Sequence, residues 1–140
     1  MKMFYELMYK RWYNKVSKDS YNFSIMPDKY KDYNMCLHAV RENGMLIQEI
    51  PYEYKNMEIC EAAVMEYSGA FRYIPDECIT YKMCEKAVKI DGTLVAYIPE
   101  KYKTYELCLE AVNDNGRALQ FIPPKYIDDI MNQLRIVEIK

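Results

Sequence analysis

Apolar residues recur with helical spacing in the second half of the chain. Tyr105, Cys108, Ala111 and Val112 stand three, three and one residues apart, which places them on one face of an α-helix. The pattern predicts a helix of about three turns over residues 104–115.

The residues that follow predict a glycine corner and a second, shorter helix. Asn115 and Gly116 end the long helix, and we expect the glycine to adopt the left-handed conformation that commonly terminates helices. The segment RALQFI, residues 117–122, then predicts a helix of one to two turns. Pro123 limits its length because proline has no amide hydrogen and disfavours helix at the preceding residue.

This unit returns every 24 residues. The repeating rows are Pro27, Pro51, Pro75, Pro99 and Pro123; Cys36, Cys60, Cys84 and Cys108; Ala39, Ala63, Ala87 and Ala111; and Val40, Val64, Val88 and Val112. The predicted N-caps are Asp32, Asn56, Thr80, Thr104 and Asp128. A unit this short cannot bury its own apolar face, so neighbouring units must stack.

The sequence therefore predicts an all-α fold, a short α-solenoid of tandem 24-residue two-helix repeats with degenerate capping helices at both ends. We expect a single domain, 1–140, with a cap over 1–26, four full repeats over 27–122 and a second cap over 123–140. Long helices are expected near residues 3–17, 32–43, 56–67, 80–91, 104–115 and 128–137. The final segment, RIVEIK, is open between a helix, a frayed end and a strand.

The stretch IPEKYKTYELCLEAV, continued by NGRALQFIP, resembles a family of short helical repeats of unknown function. That family is abundant in giant amoeba-infecting viruses and occurs in some bacterial effector proteins. The resemblance covers roughly residues 25–126. It implies a helical repeat fold and a viral protein acting in host cytoplasm, and it carries no catalytic residues.

Composition narrows the functional classes. The net charge is −2 and the pI is near 5.5, which argues against a polyanion as the main partner. The chain shows neither a secretory signal pattern nor a stretch approaching the roughly 18 apolar residues of a membrane span. We expect a cytoplasmic protein.

Reactive side chains give little sign of catalysis, so we expect no enzyme activity, no cofactor and no metal. The row cysteines are expected to lie one helix-packing distance apart, roughly 8–10 Å, too far for a disulfide or a shared zinc ion. Cys78 lies off that row and is the thiol whose exposure stays open. His38 shares its row with Ala62, Lys86 and Glu110, a mixture that predicts a solvent-exposed side chain.

The most suggestive feature is a recurring Tyr-Lys pair. It occurs at Tyr30-Lys31, Tyr54-Lys55 and Tyr102-Lys103 and lapses at Cys78-Ile79. Such rings most often pack between repeats; they can also contact a protein, or stack bases while the lysines meet phosphates. The predicted interaction surface consists of these six residues together with Arg72 and Gln120, which come from variable repeat positions.

The N-terminal helix carries a local excess of positive charge, and Tyr5, Met8, Trp12 and Val16 line one of its faces. It is expected to cap the first repeat, and an anionic membrane is the alternative.

The predicted function is a non-enzymatic protein–protein interaction module. A single-stranded nucleic-acid-binding repeat is the alternative, and a self-assembling structural protein is a second one. The oligomeric state stays open.

Overall fold

The structure is a computed structural model, and it describes residues 1–139, with side chains for 1–135. The chain divides into two compact units, Met1–Cys78 and Ile79–Lys140. The α-helices are α1 (Lys2–Lys18), α2 (Asn22–Ile25), α3 (Tyr33–Glu42), α4 (Met57–Glu66), α5 (Tyr81–Ile90), α6 (Tyr105–Asp114) and α7 (Pro124–Ile139). The 3₁₀ helices are Asp28–Tyr30, Gly44–Gln48, Tyr52–Tyr54, Ser68–Tyr73, Asp76–Cys78, Gly92–Tyr97, Glu100–Tyr102 and Gly116–Phe121.

The all-α repeat fold predicted from the 24-residue period is confirmed. Four long helices begin at the predicted N-caps, where the side chains of Asp32, Asn56, Thr80 and Thr104 each accept a hydrogen bond from the amide three residues ahead. These bonds satisfy one of the amides that an α-helix leaves open in its first turn.

The last helix begins earlier than predicted. Asp128 is not its N-cap but lies inside α7, which begins at Pro124. Proline is favoured at the first helical position because its amide would lack a partner there and its φ already suits a helix. The open prediction for RIVEIK resolves to helix through Ile139, and Lys140 lies outside the described residues.

The short segments are 3₁₀ helices, and the predicted role of the glycines is wrong. None of the glycines has a positive φ. A Cβ on Gly44 would lie 2.3 Å from the carbonyl oxygen of Ala63, and one on Gly92 would lie 2.2 Å from that of Ala111. Glycine is needed here because the next repeat's backbone occupies the space of a side chain.

Within each unit, the small-residue rows form the contact between neighbouring repeats. Helix α3 packs on α4 in the first unit and α5 packs on α6 in the second. All four row cysteines and all four row alanines are fully buried. Small side chains let the stacked helices approach closely, so the rows set the spacing of the repeats.

The N-terminal helix packs on the first repeat. Helix α1 contacts α3, and Val16 is fully buried. The hydroxyl of Tyr9 donates to Asp32 Oδ1 at 2.8 Å, and that of Tyr5 donates to the carbonyl of Lys29 at 3.0 Å. These bonds fix which face of α1 is turned toward the repeats.

Candidate recognition surface on the long helices

The tyrosines of the Tyr-Lys row lie in contacts between repeats. Tyr30 is buried, with its ring centroid 5.1 Å from that of Tyr5. Tyr54 packs edge-on against Tyr33 at 6.3 Å. The Tyr102 hydroxyl donates to the carbonyl of Ile79 at 3.1 Å. Because these rings are engaged within each unit, little of their faces is left for a base or a partner.

Two of the three lysines of the row are also engaged. Lys31 Nζ lies 3.1 Å from Asp28 Oδ1, and its side chain is 14% exposed. Lys103 Nζ donates to Glu100 Oε1 at 2.9 Å and to the carbonyl of Phe121 at 3.2 Å, with 9% of its side chain exposed. The carbonyl of Lys55, whose side chain is half-buried, accepts from the Cys78 thiol.

The other two residues of the predicted surface are exposed. Arg72 and Gln120 both lie on 3₁₀ helices, in separate units. The Gln120 amide donates to the carbonyl of Arg117 at 3.1 Å, a contact within its own turn. Of the eight predicted residues, these two have the side chains most accessible to a partner.

Cys78 is buried, and its thiol donates to the carbonyl of Lys55 at 3.1 Å. The sequence did not decide whether this thiol is exposed, and the structure shows that it is an internal hydrogen-bond donor.

The prediction that His38 is solvent-exposed is wrong. Its ring stacks on Tyr13 with centroids 3.7 Å apart, and Nε2 lies 2.9 Å from Ser17 Oγ. Both of these neighbours lie on helix α1, which therefore covers His38 and shields its side chain from solvent.

Side chains that differ from repeat to repeat lie along one stripe of each long helix. We define the outer stripe as the residues two, six and nine positions after each N-cap, a spacing that aligns them on one helical face. It consists of Asn34, His38 and Arg41 on α3; Glu58, Ala62 and Met65 on α4; Lys82, Lys86 and Lys89 on α5; and Glu106, Glu110 and Asn113 on α6. The first and third members are exposed on every helix, and the middle one is half-buried.

The chemistry of this stripe changes from one repeat to the next, while the buried rows stay nearly constant. Helix α5 carries three lysines where α4 carries an acid, an alanine and a methionine. Constant buried rows with a variable exposed stripe are what a repeat scaffold needs to present different surfaces on one backbone.

An open groove of about 730 Å³ runs along the outer stripe of the first unit. It is lined by Arg41, Met57, Glu58, Glu61, Ala62, Met65 and Glu66. Both methionines are more than half exposed. Methionine is flexible and polarisable, so its side chain adapts to apolar groups of different shape.

Three glutamates and one arginine give the groove a negative rim. Glu58 accepts a hydrogen bond from the Tyr33 hydroxyl, which raises the pKa of that tyrosine. Glu58 also lies 3.7 Å from Arg41 Nη2. Glu66 accepts from the amide of Gly44 at 2.5 Å. Two of the carboxylates are therefore held in place, which keeps the rim preorganised.

Sequence reasoning missed this groove, although its signal was present. The row that contains Ala62 is mixed in composition and was interpreted as ordinary solvent exposure, and the Glu58 and Met65 rows were not connected with it. The signal was the helical spacing that joins three variable rows into one stripe.

The helices and their 24-residue period place the chain in a class of proteins, the all-α proteins built from tandem helical repeats. A family model described as "Domain of unknown function (DUF4116)" matches residues 32–78 and again residues 82–127. The two matches cover more than half of the chain, which belongs to this family. Searches of the curated proteins and of the solved structures found no match.

The described residues were also searched for membrane-spanning helices and for clusters of metal ligands. Among residues 1–139, no helix has the length and apolarity required to cross a bilayer. Among the side chains that the structure describes, those of residues 1–135, no three from His, Cys, Asp or Glu cluster as metal ligands.

Proposed function

We propose that this protein is a non-enzymatic protein-binding module, and that the groove along the outer stripe of α4 is its recognition surface. The observation that supports this most is the groove along α4, where two exposed methionines lie between glutamates. An apolar floor with a charged rim is the usual arrangement of a peptide-binding groove.

The chemistry of the groove specifies the kind of partner. Glu58, Glu61 and Glu66 favour a segment that carries lysine or arginine, and Met57 and Met65 favour apolar anchors between those cations. The expected partner is a basic, amphipathic segment of another protein. Charge complementarity sets the register, and burial of the apolar anchors supplies most of the affinity.

The proposal is tested by selecting displayed random peptides on the full chain and measuring the affinity of the enriched sequences by fluorescence anisotropy. Basic amphipathic peptides should be enriched. The triple variant Glu58→Lys, Ala62→Lys and Met65→Lys gives α4 the stripe that α5 already carries, so the helix should tolerate it. It should weaken binding at least about tenfold, because the rim charge is reversed and the apolar floor is lost.

The matched control is Glu106→Lys with Glu110→Lys on α6, which changes the net charge by the same amount. Its affinity for the peptides should stay within about twofold of the wild type, since long-range charge effects are screened at physiological salt. Peptides that are not basic, or equal losses in the two variants, would refute the assignment.

Nucleic-acid binding through the Tyr-Lys row has less support, because Tyr30 is buried and Lys31 and Lys103 are paired with carboxylates. A titration with labelled single-stranded RNA tests this alternative separately. The viral origin and cytoplasmic location implied by the family resemblance, and the self-assembly alternative, stay predictions.

A further inference from the structure

We propose that the solvent-facing side of α1 is a docking surface for an anionic phospholipid bilayer. We define the α1 outer face as Met3, Phe4, Leu7, Lys10, Arg11, Asn14 and Lys18. This activity is independent of the peptide groove, which lies on α3 and α4.

The contacts of α1 fix this face away from the repeats. Tyr5, Tyr9 and Val16 all point toward the first repeat, where they make hydrogen bonds or are buried. On a helix of 3.6 residues per turn, Leu7 and Arg11 lie on the opposite side from these residues. The α1 outer face is therefore the side that capping leaves uncovered.

The first half of the α1 outer face is apolar and strongly exposed. Met3 is 81% exposed, and Phe4 and Leu7 are each 64% exposed. They lie within two helical turns and form a continuous apolar edge. The contacts of the cap use the opposite face, so packing within the protein does not account for these residues.

The second half of the same face is basic. Lys10, Arg11 and Lys18 are exposed, and Lys15 lies beside them with its ammonium 4.5 Å above the Trp12 ring. Residues 1–19 contain five basic and two acidic residues, whereas the whole chain has a net charge of −2. Positive charge is thus concentrated on this helix of an otherwise acidic protein.

The combination favours a bilayer over other anionic partners. A soluble polyanion would meet the lysines and arginine but would leave Met3, Phe4 and Leu7 in water. A protein partner would need a surface that matches the shape of the shallow groove of about 570 Å³ that Leu7, Lys10 and Arg11 help to line, whereas a bilayer needs no such match. A bilayer accepts such a face because its acyl boundary takes up the apolar residues while anionic headgroups meet the cations.

The test is co-sedimentation of the full chain with vesicles of phosphatidylcholine, with and without phosphatidylserine. We expect binding only to the vesicles that contain phosphatidylserine, weakened at high salt because the attraction to headgroups is screened. Phe4→Glu with Leu7→Glu should lower the partition coefficient at least about tenfold, and Lys10→Glu with Arg11→Glu should do the same.

Two controls separate this surface from general effects. Ile90→Glu changes a residue that is 63% exposed on α5, and Lys82→Glu with Lys89→Glu matches the charge change of the Lys10 and Arg11 variant. Both should bind vesicles like the wild type. Far-ultraviolet circular dichroism checks that every variant is folded, since all of these side chains are exposed in the folded protein.

Several results would overturn the proposal. These are no binding to phosphatidylserine vesicles, equal binding by the α1 variants and the wild type, or equal losses in the two control variants. Sedimentation of the wild type without lipid would assign the face to contacts between copies of this chain instead. Because the peptide groove is on other helices, a negative result here leaves the peptide-binding test unaffected.

Discussion

At Gly92, the backbone of one repeat meets the backbone of the next without room for a side chain. Its amide donates to Asp114 Oδ2 at 2.7 Å, and a Cβ there would lie 2.2 Å from the Ala111 carbonyl. Gly44 repeats this arrangement with Glu66 and Ala63 in the first unit. Glycine at the equivalent positions 44 and 92 is thus explained by close approach of the backbones and not by a left-handed turn.

Gly92→Ala should therefore lower the free energy of unfolding by about 1–3 kcal/mol, the usual cost of overpacking a tight contact. Gly116→Ala is the matched control, since no atom lies within 4 Å of its Cβ position, and its change should stay within about 0.5 kcal/mol. Urea unfolding measures both. Equal effects of the two substitutions would contradict the close-approach explanation.

The row cysteines are protonated, buried side chains in the folded protein. Burial raises the pKa of the Cys36, Cys60 and Cys84 thiols to about 12 and that of Cys108 to about 11. Since the thiolate is the reactive form, these residues should react with the thiol reagent DTNB only after unfolding. Rapid labelling of the folded protein at neutral pH would contradict the burial of the row.

The same shifts predict a loss of stability in alkali. A thiol whose pKa is raised by folding contributes stability that is complete below its unfolded pKa, near 9, and is lost as the pH rises toward its folded value. The free energy of unfolding should therefore fall between about pH 9 and 12. Replacing all four row cysteines with alanine should flatten this part of the profile; an unchanged slope would assign the loss to other groups, such as the tyrosines.

At the scale of the helix, N-capping side chains set where the repeats begin. Thr80 Oγ1 accepts from the Met83 amide at 3.3 Å, while Asp128, also predicted as a cap, lies inside α7. Thr80→Ala should cost about 1 kcal/mol and Thr80→Ser much less. Asp128→Ala should cost no more than about 0.5 kcal/mol. Thermal unfolding compares them, and a larger loss at Asp128 would show that α7 begins later.

The sequence predicted the long helices well because their signals are local. Apolar spacing and a polar N-cap depend on neighbours in the same helix, so Tyr33–Glu42 and its counterparts fell within one or two residues of the expected bounds. The 3₁₀ helices were not predicted, since a short apolar segment before proline fits an α-turn equally well. The coverage of His38 depends on Tyr13, 25 residues earlier, and no local pattern carries that contact.

At the scale of the molecule, the repeats combine a constant interior with an exterior that varies from helix to helix. The period predicted the interior because burial demands the same small residues in every unit. It did not predict the proposed recognition surface, because exposed positions are free to differ. The Tyr-Lys row was conspicuous in the sequence because its tyrosines recur, and Tyr30 and Tyr102 recur because they make contacts between repeats.

The most direct test of the proposed recognition surface is a map of backbone amide shifts by nuclear magnetic resonance as a selected basic peptide is titrated into the labelled protein. The proposal predicts that the largest shifts fall on Arg41 and on residues 57–66 of α4. Shifts concentrated on Lys31, Tyr102 and Lys103, with α4 unchanged, would contradict it.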